Sequence, residues 1–277
     1  MKVKQAAIFI NEQNPLSLKS AKTLREALDF AKIGNYQTNT KEKELIKGTD
    51  LLFCIGGDGT LLSAAQKAAK FNIKIVGINS GNLGFLAALK TQADFNQIIQ
   101  DILKDNFIEQ ERFLLKAEVF RNKKNVFSSA ALNEAVLRPA QARAINLNVH
   151  FDKSQVKNYF GDGLIIATPT GCTAYNLAAG GPIVMPSLNV FILTAICPHT
   201  LSQRPLVLPA DKEIKILLDK TKRDININLT LDGQNNFALQ NNDIVKLMQS
   251  KQKLKILYPK NYDFFEVLTT KLNWGQR

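Results

Sequence analysis

The sequence holds two histidines, one tryptophan and three cysteines in 277 residues. His150 and His199 have no serine or cysteine set beside them in the sequence, so a histidine-based nucleophilic triad has little to be built from. No His/Cys cluster has the spacing of a zinc site. The cysteines (Cys54, Cys172 and Cys197) are odd in number and unpaired in spacing. They read as reduced thiols and point to a cytoplasmic protein, not a disulfide framework. Long apolar runs are missing too. The N-terminal "MKVKQAAIFINEQ" offers only a short one, below the length of a signal-peptide core or a membrane span. Lys+Arg exceed Asp+Glu by 36 to 24, giving +12. The basic residues are scattered, with no compact block, zinc-finger or RNP-type motif, which argues against nucleic acid as a partner. No fixed-period repeat is present.

What the chain does hold is a division of patterns. In the first third, "QAAIFI" (5–10), "DLLFCI" (50–55) and "IKIVGI" (73–78) are continuous apolar runs that read as buried strands. Between and after them, 18–28, 61–71 and 94–103 repeat apolar residues at helical spacing. Buried strands alternating with helices predict a parallel sheet covered on both faces, over residues 1–112. From 113 to 256 the period changes to two. "INLNVHF" places Ile145, Leu147, Val149 and Phe151 on one face, and "DININLTLDG" does the same through Ile225, Ile227, Leu229 and Leu231. "EIKILL", "IVKLM" and "KLKILY" read as further short strands, so this segment is expected to be a β-rich domain. The tail, 257–277, returns to a helical pattern through Phe264, Phe265, Leu268 and Leu272 and is expected to pack back on the first domain.

The stretch "CIGGDGTLLSAAQKAAK" (54–70) surrounds one aspartate with glycines at the mouth of a helix. A P-loop would need Gly-Lys-Ser or Gly-Lys-Thr at a fixed distance, and none is present. A Rossmann fingerprint would need a small residue at Leu62 and an acidic residue near 76–80, which reads "VGINS". What remains is a turn of Gly56, Gly57, Gly59 and Thr60 with free helix N–H groups facing phosphate. Asp58 reads either as a turn or cap aspartate or as a carboxylate that orients and deprotonates a hydroxyl or holds a metal. "INSGNLGF" adds a second flexible turn (Asn79, Gly81, Asn82, Gly84), with the Phe85 ring beside it.

A second constellation follows. Asn133-Glu134, at what reads as a strand end, offers an amide and a carboxylate to two ribose hydroxyls. "GDGLIIATPTGCTAYNLAAGGPIV" (161–184) sets a strand, a Thr-Pro-Thr-Gly turn and a two-turn helix from Thr173 among small residues. That composition lets backbone approach a ligand closely. Asp162, Thr170, Thr173 and Tyr175 suit an adenine and its ribose. Gln234, in the hairpin-like "TLDGQN", is either a plain turn residue or a nucleotide contact.

Gly-Gly-Asp-Gly-Thr at 56–60, Asn-Ser-Gly-Asn-Leu-Gly-Phe at 79–85, Asn-Glu at 133–134 and Asp-Gly-Leu at 162–164 stand in one order along the chain. They are followed by Thr-Pro-Thr-Gly at 168–171, Thr-Ala-Tyr-Asn at 173–176, Gly-Gly-Pro at 180–182 and Asp-Gly-Gln at 232–234. Together they resemble the bacterial NAD kinases, from about residue 50 to the end. The resemblance implies a Rossmann-like three-layer α/β domain followed by a β-sandwich domain, and transfer of a phosphoryl group from ATP to the adenosine ribose 2′-hydroxyl of NAD. It implies Asp58 as proton acceptor and an NAD site of Asp58, Gly59, Phe85, Asn133, Glu134, Asp162, Thr170, Thr173, Ala174, Tyr175, Asn176, Leu177, Ala178 and Gln234. It also implies a divalent cation such as Mg²⁺, ATP or polyphosphate as donor, and a dimeric or tetrameric homo-oligomer in the cytoplasm. Cys172 stands where a hydroxyl residue is usual, removing a donor beside the adenine loop. Ala178 replaces a common serine, and the region before Asp50 matches weakly. Two other readings predict different outcomes. A lipid or small-alcohol kinase of the same superfold would explain 56–60 but not 168–182. A non-catalytic dinucleotide-binding regulator would tolerate loss of Asp58.

Overall fold

The computed structural model describes residues 1–39, 45, 47–81, 84–141, 143–200, 202–218 and 226–275. Asn82 of the second turn and Ile225 of the alternating run lie outside the described residues. The chain divides into two units, Met1–Glu111 with Gln252–Arg277, and Arg112–Lys251.

The first unit is built from β1 (Gln5–Ile10), α1 (Pro15–Phe30), β2 (Gly34–Thr38), β3 (Leu51–Gly56), α2 (Asp58–Lys70), β4 (Lys74–Asn79), β5 (Leu89–Lys90) and α3 (Phe95–Leu103). Strands β2, β1, β3 and β4 lie side by side in that order, all parallel, with β5 parallel to β4. The continuous burial of β1 and β3 is what parallel strands covered on both faces require. Alternate side chains divide between two layers. Ile8, Ile10, Phe53, Ile55 and Val76 join one core with Leu24 and Leu28 of α1 and Ile98 and Ile102 of α3. On the opposite face the Lys67 ammonium of α2 lies 5.8 Å from the Phe9 ring. A Cβ on Gly77 would come within 3.1 Å of Leu61. Helix starts follow their caps: Asn14 accepts from the Leu16 N–H ahead of Pro15, and Asp94 accepts from Asn96 and Gln97 N–H groups.

The second unit contains most of β6 (Phe107–Arg121), then β7 (Lys124–Ala131), β8 (Glu134–Pro139), β9 (Ile145–Phe151), β10 (Ser154–Ala167), a 3₁₀ turn (Thr170–Thr173), α4 (Tyr175–Ala178), β11 (Val190–Pro198), β12 (Leu206–Pro209), β13 (Ile214–Leu218), β14 (Ile227–Leu231), β15 (Asn235–Leu239) and the first half of β16 (Ile244–Pro259). α5 (Phe264–Leu272) follows in the first unit's second segment. The pairings within this unit are antiparallel: β15 to β14, β14 to β8, β8 to β10, β10 to β9 and β11, β9 to β13, β13 to β16, and β6 to β7. The period of two is realised as alternating burial in β9, β13 and β14. The end of β10, residues 163–167, is buried on both faces, because Leu164 and Ile166 enter the large core while Ile165 and Ala167 enter a smaller one with Val136, Cys172 and Ile192.

Several boundaries differ from the sequence expectation. α2 begins at Asp58 and not at Leu61. "IVKLM" and "KLKILY" belong to one strand, β16, because the polar residues between them stay in extended conformation. The expected two-turn helix from Thr173 is a 3₁₀ turn and a single α-helical turn. Asn133 immediately precedes β8 and Glu134 opens it, so the pair stands at the entry of that strand and not at its exit. In α5, Phe265 is 51% exposed and the buried residues are Val267 and Leu268.

Candidate active site

The residues singled out from the sequence gather into two groups, one in each unit. In the first, Gly57 caps α2 in an extended conformation (φ −88°, ψ −176°), so Asp58 is the first helical residue. A carboxylate there meets the positive end of the helix dipole. Its oxygens also find partners in the second turn. Phe85 N–H donates to Oδ2 at 2.8 Å, and Leu86 and Ala87 N–H donate to Oδ1 at 3.1 and 3.3 Å. The close approach depends on Gly84, where a Cβ would lie 2.0 Å from Asp58 Oδ1. A carboxylate carries about four acceptor sites, and three of Asp58's are taken by backbone. One acceptor site is left over among the described residues. The half-buried Asp58 is thus fixed in direction while one acceptor position stays usable.

Beside it lies an open cleft of about 590 Å³ lined by Gly57, Gly59, Thr60 and Ser63 of the turn and α2, and by Ile10, Asn11, Glu12, Gln13 and Asn39. It sits off the carboxyl ends of β1 and β3, the position where ligands bind in open parallel sheets. Gly56 is confined by Thr60, whose Oγ1 would lie 2.2 Å from a Cβ there. Ser80 ties the neighbouring loop down: its N–H donates to Gly56 carbonyl, and its hydroxyl pairs with Ser17 at 3.0 Å.

In the second unit the centre is Asn133-Glu134. Asp232, 98 to 100 residues further along, accepts from the N–H groups of Leu132 (2.8 Å), Asn133 (2.7 Å) and Glu134 (3.2 Å). The Asp232 N–H donates back to the Glu134 carbonyl. Asp232 and Gly233, both at positive φ (52° and 68°), lie in the three-residue connection 232–234 between β14 and β15, where Gln234 N–H donates to the Leu231 carbonyl. Two central residues at positive φ with that bond make a type I′ turn, where Asp-Gly is favoured. From the other side Thr168 N–H donates to the Asn133 carbonyl and its hydroxyl to the Leu132 carbonyl. Gly171 presses so closely that a Cβ would be 2.2 Å from the Asn133 carbonyl oxygen.

Glu134 is 6% exposed and its Oε2 has no hydrogen-bond partner among the described residues. Burial, with the Asp232 charge adding to it, pushes its carboxyl up to about 8. At neutral pH it is therefore mostly a neutral acid, able to donate as well as accept. Burial also raises the Asp232 carboxyl, opposed by its three backbone N–H bonds.

The remaining predicted residues sort by exposure. Tyr175 is 38% exposed, and Ala178 and Gln234 are exposed. Thr170, Thr173, Ala174 and Leu177 are half-buried around the 3₁₀ turn and α4. Asp162 is exposed, its Oδ1 3.6 Å from His199 Nε2. Asn176 is fully buried: Nδ2 donates to the Cys172 and Pro182 carbonyls, and Oδ1 accepts from the Thr194 hydroxyl at 2.7 Å. Its side chain holds the loop together. The Cys172 thiol likewise points inward, donating to the Val184 carbonyl and accepting from the Val184 N–H, both at 3.4 Å. Sequence reasoning singled out neither Asp232 nor Gly84 as a supporting residue, although Asp-Gly in a hairpin and Gly before Phe85 were the available signals.

No group of three or more His, Cys, Asp and Glu able to hold a metal occurs among the described residues. No described helix is long and apolar enough to cross a membrane.

Two family models match the chain: "ATP-NAD kinase N-terminal domain" over residues 4–107 and "ATP-NAD kinase C-terminal domain" over 132–258. The chain is 38% identical over 264 residues to the NAD kinase of Aeromonas salmonicida, covering 95% of this chain and 90% of that protein. Among solved structures it is similar to yeast NADH kinase complexed with NADH (TM-score 0.88, 21% identity, 100% and 89% of the two chains). It is also similar to an NAD kinase from Archaeoglobus fulgidus in complex with ATP (TM-score 0.77, 24% identity, 97% and 98%). At those identities the two structures speak for the fold alone.

Proposed function

The chain belongs to the NAD kinase family, and on that premise we propose how its residues divide the work of phosphorylating NAD with ATP to give NADP. The 2′-hydroxyl of the adenosine ribose gives its proton to Asp58. Its oxygen bonds to the γ-phosphorus, and the bond from that phosphorus to the β–γ bridging oxygen of ATP breaks, releasing ADP. The observation that carries this reading is the Asp58 carboxylate, held by three backbone amides at the start of α2 with one acceptor site left. Catalysis of this kind rests mainly on positioning and charge neutralisation, and the proton acceptor adds about 10²–10⁴-fold.

The first unit's cleft, with the turn 56–60 and the N–H groups opening α2, receives the triphosphate. In the second unit, Asn133 and the protonated Glu134 hydrogen-bond the dinucleotide's ribose and diphosphate. A neutral acid meets a diphosphate without the repulsion an ionised one would bring. The loop 170–178 accommodates the adenine with Tyr175 as its ring. Asp162 and Gln234 complete the pocket. The side chains of Asn176 and Cys172 hold the loop from inside.

A divalent cation, Mg²⁺ being the natural one, fits this donor set because it is carried by the phosphates and its own waters and needs few protein ligands. Asp58 and Glu12, which lines the cleft, are the carboxylates available to it. The cation supplies neutralisation of charge on the transferring phosphoryl group. We further place the enzyme in the cytoplasm as a homo-oligomer, with polyphosphate as a second donor to be tried.

The test is direct. Purified protein incubated with NAD, ATP and Mg²⁺ is expected to produce NADP, read by an NADP-specific dehydrogenase. EDTA should stop the reaction, and Asp58→Asn should lower kcat by about 10²–10⁴-fold with the fold retained. Turnover unchanged in Asp58→Asn would remove the carboxylate from the chemistry.

A further inference from the structure

Asp232 is the feature of the second unit that a simple hairpin does not require. A type I′ turn accepts glycine or asparagine at that position as readily as aspartate. Yet the carboxylate is buried, 9% exposed, and its burial is unfavourable unless its hydrogen bonds compensate. All three of those bonds go to consecutive amides, those of Leu132, Asn133 and Glu134. These amides carry the two side chains assigned above to the dinucleotide.

We propose that Asp232 is a positioning residue for NAD. Its carboxylate fixes the backbone of Leu132–Glu134 and so aims the Asn133 amide and the Glu134 carboxyl at the dinucleotide. The inference rests on the reading that Asn133 and Glu134 hold NAD, and adds that their geometry is set from a hairpin about 100 residues away.

The arrangement is specific in two ways. Oδ1 accepts from both Asn133 and Glu134, and Oδ2 from Leu132, so both oxygens are needed. An asparagine would turn an N–H₂ group toward one of these donors and lose part of the set. The same carboxylate also stands beside Glu134 and, after burial, is the neighbouring charge that adds to the rise of its carboxyl. Removing the charge therefore changes where Glu134 titrates, an effect that a purely structural brace would not produce.

Three variants and three readouts test this. Asp232→Gly keeps a residue suited to φ 52° and deletes the carboxylate; Asp232→Asn keeps the shape and deletes the charge. Glu134→Gln tests the underlying site. The KM for NAD should rise about tenfold or more in Asp232→Gly, with an intermediate rise in Asp232→Asn. The KM for ATP should stay within about twofold, since the hydrogen bonds lost belong to the second unit and the turn assigned to the triphosphate belongs to the first. The inflection in kcat/KM for NAD near pH 8 should move to lower pH in Asp232→Asn and vanish in Glu134→Gln.

A KM for NAD that rises in Glu134→Gln but stays at the wild-type value in both Asp232 variants overturns the positioning role and leaves Glu134 in the site. An unchanged KM in Glu134→Gln overturns the site reading itself. If circular dichroism shows Asp232→Gly unfolded, a folded Asp232→Asn with wild-type KM and pH profile likewise overturns the proposal.

Discussion

The Phe85 backbone N–H points at Asp58 Oδ2 from 2.8 Å, across 27 residues of chain. With Leu86 and Ala87 it makes a row of amides that gives the carboxylate one orientation. These N–H groups stabilise an acidic side chain inside a phosphate-type turn before any substrate arrives.

That geometry makes Gly84→Ala a selective probe. The φ of Gly84 is not in the left-handed region, so alanine carries no backbone strain there, but its Cβ would meet Asp58 Oδ1 at 2.0 Å. Either the carboxylate or the loop must move. A displacement of about 1 Å at a reacting group costs about 10²-fold in rate, so kcat should fall by about that factor while the protein stays folded. An unchanged kcat in steady-state assays would show that the orientation of Asp58 is not set by this loop.

Gly171→Ala tests the second group by the same logic. The new Cβ would lie 2.2 Å from the Asn133 carbonyl oxygen, a backbone atom with little freedom to yield. Overpacking of this kind costs about 1–3 kcal/mol, and each kcal/mol lowers Tm by about 2–4 °C at this size. The KM for NAD should rise with it, because Asn133 is displaced. Gly57→Ala meets nothing within 4 Å, and its Tm should fall less, by the exchange of a glycine N-cap for alanine alone. Equal melting temperatures for the two variants would refute the close-packing argument.

How much of this was legible beforehand follows from which interactions are local. Continuous apolar runs gave β1, β3 and β4 because a strand buried on both faces has no alternation to read. Alternation gave β9, β13 and β14 because each has one face in the core. The motif positions of Asp58, Asn133 and Glu134 were visible for the same reason. Their supports were not: Asp58 is held from residues 85–87 and Asn133 from residue 232, pairings that no local period encodes. Side-chain direction was equally hidden. Cys172 and Asn176 sit in a glycine- and threonine-rich loop that reads as ligand-facing, yet both turn inward, where Val184, Thr194 and Pro182 supply their partners.

Tyr175 and Asn176 are neighbours with opposite environments, and their alanine variants should separate accordingly. Asn176→Ala removes a fully buried amide and strands the Thr194 hydroxyl and the Cys172 and Pro182 carbonyls. Each buried polar group left unpaired costs about 1–3 kcal/mol, so Tm should drop by several degrees by the scaling of about 2–4 °C per kcal/mol. Tyr175 is 38% exposed, and Tyr175→Ala should leave Tm within about 2 °C. Its KM for NAD should rise up to about tenfold through loss of a ring contact with the base. A stable Asn176→Ala, or a Tyr175→Ala with unaltered NAD affinity, would contradict these assignments.

The last prediction concerns stability against pH. The Glu134 carboxyl is raised from its ordinary 4.5 to about 8, first by burial and then by Asp232. Between those two values the folded protein binds this proton more tightly than the unfolded chain does, so unfolding releases it. The stability gained from a protonated Glu134 is therefore fully present below about pH 4.5 and is lost as pH rises through about 8. Glu134→Gln keeps the shape and cannot ionise. Its Tm minus that of wild type should accordingly become more positive as pH is raised from about 5 to about 9, the window set by that shift. Differential scanning calorimetry across the range measures this directly. A difference that stays constant with pH would mean that Glu134 titrates at the same pH in the folded and unfolded chain, and that its carboxyl is not held as a neutral acid.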